Sequence, residues 1–111
     1  MLIVYPVRDL DAAKSLYTAM LGTEPYADSP YYVGYRVGDL ELGLDPNGHR
    51  QGRSGPLPYH DVPDAAAALK TLVAAGAKEV RPVRDVGGGT LVALVADADG
   101  NVTGLRQQSA G

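Results

Sequence analysis

The chain has 111 residues, a formal net charge of −3, 45% hydrophobic residues and no cysteine. That composition excludes a disordered chain, and it leaves no disulfide, thiolate zinc site or cysteine nucleophile. The acidic balance offers no basic surface for nucleic acid, and no apolar run approaches the ~20 residues of a membrane span. The N-terminus lacks a signal-peptide pattern, so the expectation is a soluble, cytoplasmic domain. Seven tyrosines stand in a chain without phenylalanine or tryptophan, so Leu, Val, Ala and tyrosine rings must build the core.

Met1 to Val7 is a short β-rich run. Asp9 then suits an N-cap, and Leu10, Ala13, Leu16/Tyr17 and Met20/Leu21 recur at helical spacing, with Gly22 as the stop. Leu16, Leu69 and Leu94 are expected in the core. Residues 24–30 are punctuated by Pro and Asp and leave room for an edge strand around Tyr26. Tyr31 to Val37 reads as a strand, Gly38-Asp39 as a tight turn and Leu40 to Leu44 as its partner. The Gly-, Pro- and Asn-rich stretch that follows has no apolar side chain to anchor it and reads as a linker.

Beyond it the order begins again. Pro56 to His60 is extended, Asp61-Val62 echoes Asp9-Leu10, and Pro63 suits a first helical turn. Residues 65–75 form an Ala-rich helix with Leu69, Leu72 and Val73 on one face, closed by Gly76. Lys78 to Asp85 is a Pro-interrupted strand, and Gly87-Gly88-Gly89 precedes a strand, so it reads as a hairpin turn and not as a phosphate cradle. The last hairpin joins residues 90–95 to 102–107 through Asp97 to Asn101, a turn that Asp, Asn and Gly all favour. Strand alternation puts Val102, Gly104 and Arg106 on one face and Thr103 and Leu105 on the other. Both halves read strand, helix, three strands, an internal repeat of about fifty residues. The expected fold is α+β: two βαβββ modules forming a curved eight-stranded mixed sheet with the helices on its outer face. Module one takes residues 1–45, the linker 46–55 and module two 56–107 of a single domain.

The pattern Val7-x-Asp9-Leu10-x-x-Ala13-x-x-x-Tyr17-x-x-x-Leu21-Gly22, with Asp97-x-Asp99-Gly100-Asn101 before a final strand, resembles the vicinal oxygen chelate superfamily of glyoxalases, bleomycin-resistance proteins and extradiol dioxygenases. The resemblance implies a cleft and a homodimer. In metal-using members His, Gln or Glu on the first strand and Glu on the last strand of each module hold the ion. Carried onto this chain, those positions are Leu2, Ser54, Leu42 and Gly104, with Glu41 beside Leu42 on the opposite face. Gly104 stands where an Asn-x-x-Glu-Leu pattern has its glutamate. Leu, Ser, Leu and Gly supply no carboxylate, imidazole or thiolate, so neither metal nor other cofactor is implied.

Other candidates each have two readings. His60, at a strand-to-helix junction, suits a ligand or base as well as a backbone-bonded junction residue, whereas His49 lies in the linker. The tyrosines suit either core filling or a cleft wall that stacks on a planar ligand. Arg106 suits a ligand carboxylate or phosphate, or an acidic residue of its own chain. The expected function is metal-free binding of a small planar organic molecule, without catalytic residues, by Leu2, Tyr31, Tyr35, Leu42, Tyr59, Gly104 and Arg106. The alternative is a lyase, isomerase or dioxygenase of the same superfamily. The expected partners are the small molecule and a second copy of the chain, with neither nucleic acid nor membrane.

Overall fold

The computed structural model describes residues 1–52 and 55–109. The chain divides into two compact units, Met1–Pro58 and Tyr59–Gly111. The first carries β1 (Leu2–Pro6), α1 (Leu10–Leu21), β2 (Ala27–Ser29), β3 (Tyr32–Val37) and β4 (Leu40–Asp45), then a 3-10 turn at His49–Gln51. Its strands lie in the order β2-β3-β4-β1, with β1 and β4 parallel and the other pairs antiparallel. The second module repeats the plan: β5 (Leu57–Asp61), α2 (Ala65–Ala74), β6 (Lys78–Asp85), β7 (Leu91–Ala96) and β8 (Val102–Gln107). Its order is β5-β8-β7-β6, with β5 and β8 parallel. The fold is thus α+β, eight mixed strands and two helices in two βαβββ modules. No helix among the described residues is long and apolar enough to cross a membrane.

The Asp9 carboxylate accepts the Ala12 N–H at 3.0 Å, satisfying one of the free donors at the start of α1. At the other end Gly22 takes φ 68° and returns its N–H to Thr18 at 2.9 Å. In the second module the cap is Asp64, which accepts the Ala67 N–H at 3.1 Å. The expected echo at Asp61 is therefore displaced: Asp61 ends β5, where Arg106 holds its carboxylate, and the capping role falls beyond Pro63.

One hydrophobic core joins Val33, Tyr35, Leu42 and Leu44 of the sheet to Leu10, Ala13, Tyr17 and Leu21 of α1. The other joins Ala93, Val95 and Leu105 to Ala68, Leu69 and Leu72 of α2. Leu69 and Leu94 are buried as expected, but Leu16 is 61% exposed. The inward stripe of α1 runs through Ala13, Tyr17 and Leu21, and Leu16 lies about 100° round the helix from Tyr17. Val73 likewise sits at the rim of a stripe centred on Ala65, Ala68, Leu69 and Leu72, and is exposed. The linker is held at its start: the Asp45 carboxylate accepts the Asn47 N–H at 2.8 Å, and a Cβ at Gly48 falls 2.5 Å from the Pro6 side chain.

Candidate functional site

Each sheet has one face on its helix and one turned away, and register decides which side chain goes where. In the first module Ile3 pairs with Leu42, and Tyr5 and Val33 with Leu44, on the α1 side. Leu2, Glu41 and Arg36 pair on the other side, as do Val4, Gly43 and Gly34. Tyr35 and Leu42 therefore belong to the α1 core, and Leu2 to the opposite face. The Tyr35 ring is fully buried. Its hydroxyl donates to the Lys14 carbonyl at 3.0 Å, which leaves the Thr18 hydroxyl, 2.7 Å away, to donate to it. Tyr31 is 74% exposed at the turn between β2 and β3.

On the free face, Gly34 and Gly43 form a side-chain-free floor beneath two tyrosines. A Cβ at Gly43 falls 2.1 Å from the Tyr32 hydroxyl oxygen, closer than real atoms approach, and one at Gly34 lies 3.1 Å from both the Tyr26 and Tyr32 rings. The glycines are there because the rings occupy their side-chain space. The Tyr26 hydroxyl donates to Glu41 Oε1 at 2.9 Å, and the Arg36 guanidinium lies 4.5 Å from the centre of the Tyr26 ring. Arg36 also approaches the same carboxylate oxygen at 3.6 Å. The Glu41 side chain keeps only 15% of its exposure. A groove of about 760 Å³ lies elsewhere in this module, beside the α1 N-terminus, where Lys14 and Asp28 pair with each other.

The second module reuses the device. Tyr59 pairs with Gly104 in the parallel ladder, and a Cβ at Gly104 falls 2.3 Å from the Tyr59 ring. The space over Gly104, where the resembled pattern has a glutamate, is thus filled by a ring. Arg106 shares that face and grips Asp61 with Nε to Oδ1 at 2.6 Å and Nη2 to Oδ2 at 3.1 Å. Gln108 adds a bond to Asp61 Oδ1 at 3.3 Å. Arg106 is buried, and this bidentate pair holds the Asp61 carboxyl well below the usual carboxylate range. Of the two readings of Arg106, the structure shows the partner within its own chain. His60 pairs in register with Leu105 and is exposed.

The profile of the Glyoxalase/Bleomycin resistance protein/Dioxygenase superfamily matches residues 2–105. The chain belongs to this superfamily. No curated protein matches its sequence. Among solved structures it is similar to a Vibrio splendidus 12B01 member of the superfamily, at 18% identity and TM-score 0.73 over 96% of this chain and 95% of that one. It is similar also to Streptomyces coelicolor methylmalonyl-CoA epimerase in complex with 2-nitronate-propionyl-CoA, at 17% identity and TM-score 0.72 over 98% and 93%. A Legionella pneumophila structure described as an NAD-dependent benzaldehyde dehydrogenase superposes at TM-score 0.80 with 15% identity, over 97% and 98%. At such identities the likeness is one of fold.

The superfamily's chelate does not fit these residues. Leu2 stands seven residues before the Asp9 cap, and Leu57 seven before Asp64, so Leu57 takes the place assigned to Ser54, which lies outside the described residues. The ladders likewise match Gly104 opposite Tyr59 with Gly43 opposite Val4, and not with Leu42. Two leucines and two glycines offer no ligand atom for a divalent ion. Among the described residues no three His, Cys, Asp or Glu side chains group as a metal set.

Of the residues singled out in the sequence, Leu2 lies on the face of the first sheet turned away from α1, and Tyr59, Gly104 and Arg106 lie on the corresponding face of the second, beside the buried Val92 and Leu94. Tyr26, Tyr32, Arg36 and Glu41 were missed as a group. Their signal was parity: Tyr32, Gly34 and Arg36 alternate with Val33 and Tyr35, and Glu41 and Gly43 alternate with Leu42 and Leu44. The apolar members of each strand fill the core, so the polar parity carries whatever chemistry the face has.

Proposed function

We propose that the protein binds a small planar organic molecule non-covalently, without a metal, on the glycine-floored tyrosine faces of its modules. The observation that supports this reading is the ring laid over each glycine. Tyr32 over Gly43 and Tyr59 over Gly104 put flat aromatic surface where metal-using relatives of the resembled pattern hold charged ligands. Arg36 and Glu41 add one cation and one anion beside the Tyr26 ring, enough to orient a polar substituent. Tyrosine supplies this surface at low conformational cost, since only two χ angles need fixing.

The test is a small-molecule thermal-shift screen, because a ligand that binds only the native state raises its apparent stability. A hit is then titrated calorimetrically against wild type, Tyr32→Ala and Tyr59→Ala. Loss of about 1–3 kcal/mol of binding in either variant supports the reading. Wild-type affinity in both places the ligand elsewhere and overturns it. A second reading, an isomerase or lyase, is favoured by Glu41, a poorly exposed carboxylate that accepts a tyrosine hydroxyl. Turnover abolished by Glu41→Gln, or stoichiometric Ni, Zn, Fe or Mn in the purified protein, selects the enzyme.

A further inference from the structure

The edge strand β6 carries five charged side chains, and its register sorts them by sign. Lys78, Arg81 and Arg84 pair with Ala96, Leu94 and Val92, whose rows run on to Val102, Gly104 and Arg106 on the face turned away from α2. Glu79 and Asp85 pair with Val95 and Leu91 on the α2 side. Regular alternation parts residues that stand three apart, so it would split the cations between the two faces. Two register shifts, between Glu79 and Arg81 and between Arg81 and Arg84, each add a residue and return all three to one face. Val83 fixes the assignment, because it packs against the α2 core between the two arginines. Lys78 and Arg84 are exposed and Arg81 is half-buried. Among the described residues none of the three is held in an ion pair.

An edge strand wards off stray strand pairing with charges of either sign, a proline and bulges, and β6 has all three. That duty does not require its cations to share a face. We infer that Lys78, Arg81 and Arg84 form an anion subsite that holds a phosphate or diphosphate arm of the ligand, an inference that rests on the planar-ligand reading above. The row of Arg81 runs through Leu94 and Gly104 to Tyr59, the ring laid over its glycine. Three strand spacings, about 14 Å, separate the Tyr59 and Arg81 backbones, and the ring already covers the first of them. A ring stacked on Tyr59 thus needs a sugar-length arm to bring its anion to the arginines. Guanidinium forks match phosphate oxygens two at a time. The three cations span about 14 Å along β7, on a chain whose net charge is −3. So short a row on an acidic chain suits a small polyanion and not a nucleic-acid backbone.

Three probes separate the subsite from the ring: inorganic pyrophosphate, adenosine and adenosine diphosphate, each titrated calorimetrically against the whole chain. Pyrophosphate and the diphosphate are expected to bind, and Arg81→Gln and Arg84→Gln each weaken both at least tenfold. Lys70→Gln, which removes the same charge from the exposed side of α2, leaves both unchanged. Tyr59→Ala weakens adenosine and the diphosphate but not pyrophosphate. Thermal melts of the four variants check that each is folded. Pyrophosphate that fails to bind, or that binds all the variants alike, overturns the anion subsite, even where adenosine still depends on Tyr59. Pyrophosphate held by the two arginines, with adenosine and the diphosphate indifferent to Tyr59→Ala, upholds the subsite and tells against the ring reading alone.

Discussion

In the first module the helix packs on rings: Tyr5 and Tyr17 meet at 5.2 Å between centroids, and Tyr35 is sealed beneath α1. In the second module the corresponding layer is aliphatic, built from Leu69, Ala93, Val95 and Leu105. The polar bonds are distributed the other way on the free faces. The second module closes its face by pairing the buried Arg106 with the more exposed Asp61, whereas the first leaves Arg36 largely exposed over Tyr26. One topology thus accepts two core chemistries, provided each buried polar atom finds its partner. Tyr35 shows the condition: its buried hydroxyl donates to the Lys14 carbonyl and accepts from the Thr18 hydroxyl.

The sharpest way to break this comparison is to hollow each core in turn. Leu44→Ala in the first module and Leu69→Ala in the second are each expected to cost about 2–5 kcal/mol in urea unfolding. A much smaller loss at one site means that its module repacks and the two cores are not equally tight.

The next effect belongs to the glycines. Gly43→Ala and Gly104→Ala each force a tyrosine off its floor, at about 1–3 kcal/mol. In a Tyr59→Ala background the Gly104→Ala cost is expected largely to vanish, a coupling that a double-mutant cycle measures. Additive costs mean that the ring and the glycine are independent.

The two closing devices separate under acid. Because Arg106 depresses the folded-state pKa of Asp61, the pair stabilises the protein fully above the unfolded-chain value of about 4. That contribution is lost as pH falls below this value toward the depressed one. The drop in urea midpoint between pH 7 and pH 3 is expected to be smaller in Asp61→Asn than in wild type. Equal drops remove the pair from the acid response.

Smallest of all is Leu16→Ala, expected to cost under about 0.5 kcal/mol to the monomer, as for exposed positions generally. A loss of several kcal/mol returns Leu16 to the core.

Leu16 also shows where the sequence stopped being legible. Helical spacing offered Leu16 and Tyr17 as alternatives, and hydropathy prefers the leucine. The structure turns the tyrosine inward, because its ring reaches Tyr5 across the sheet. The succession of elements along the chain, both helices and the hairpin turns followed from periodicity and from turn residues, since those signals are local. Asp61 misled for a different reason: a capping aspartate and an ion-paired aspartate look alike until Arg106, far along the chain, is placed beside it. Site residues were legible by parity but not by identity. Alternation separates Tyr32 from Tyr35, yet only the packing of α1 tells which set is buried.

The ring over Gly104 also shapes how this chain can change. A glutamate at 104 would match the resembled pattern, yet its first side-chain carbon collides with Tyr59. Shrinking Tyr59 first leaves a void, and adding the carboxylate first leaves a clash, so either single replacement passes through a less stable protein. Positions 59 and 104, and equally 32 and 43, are bound to move as pairs.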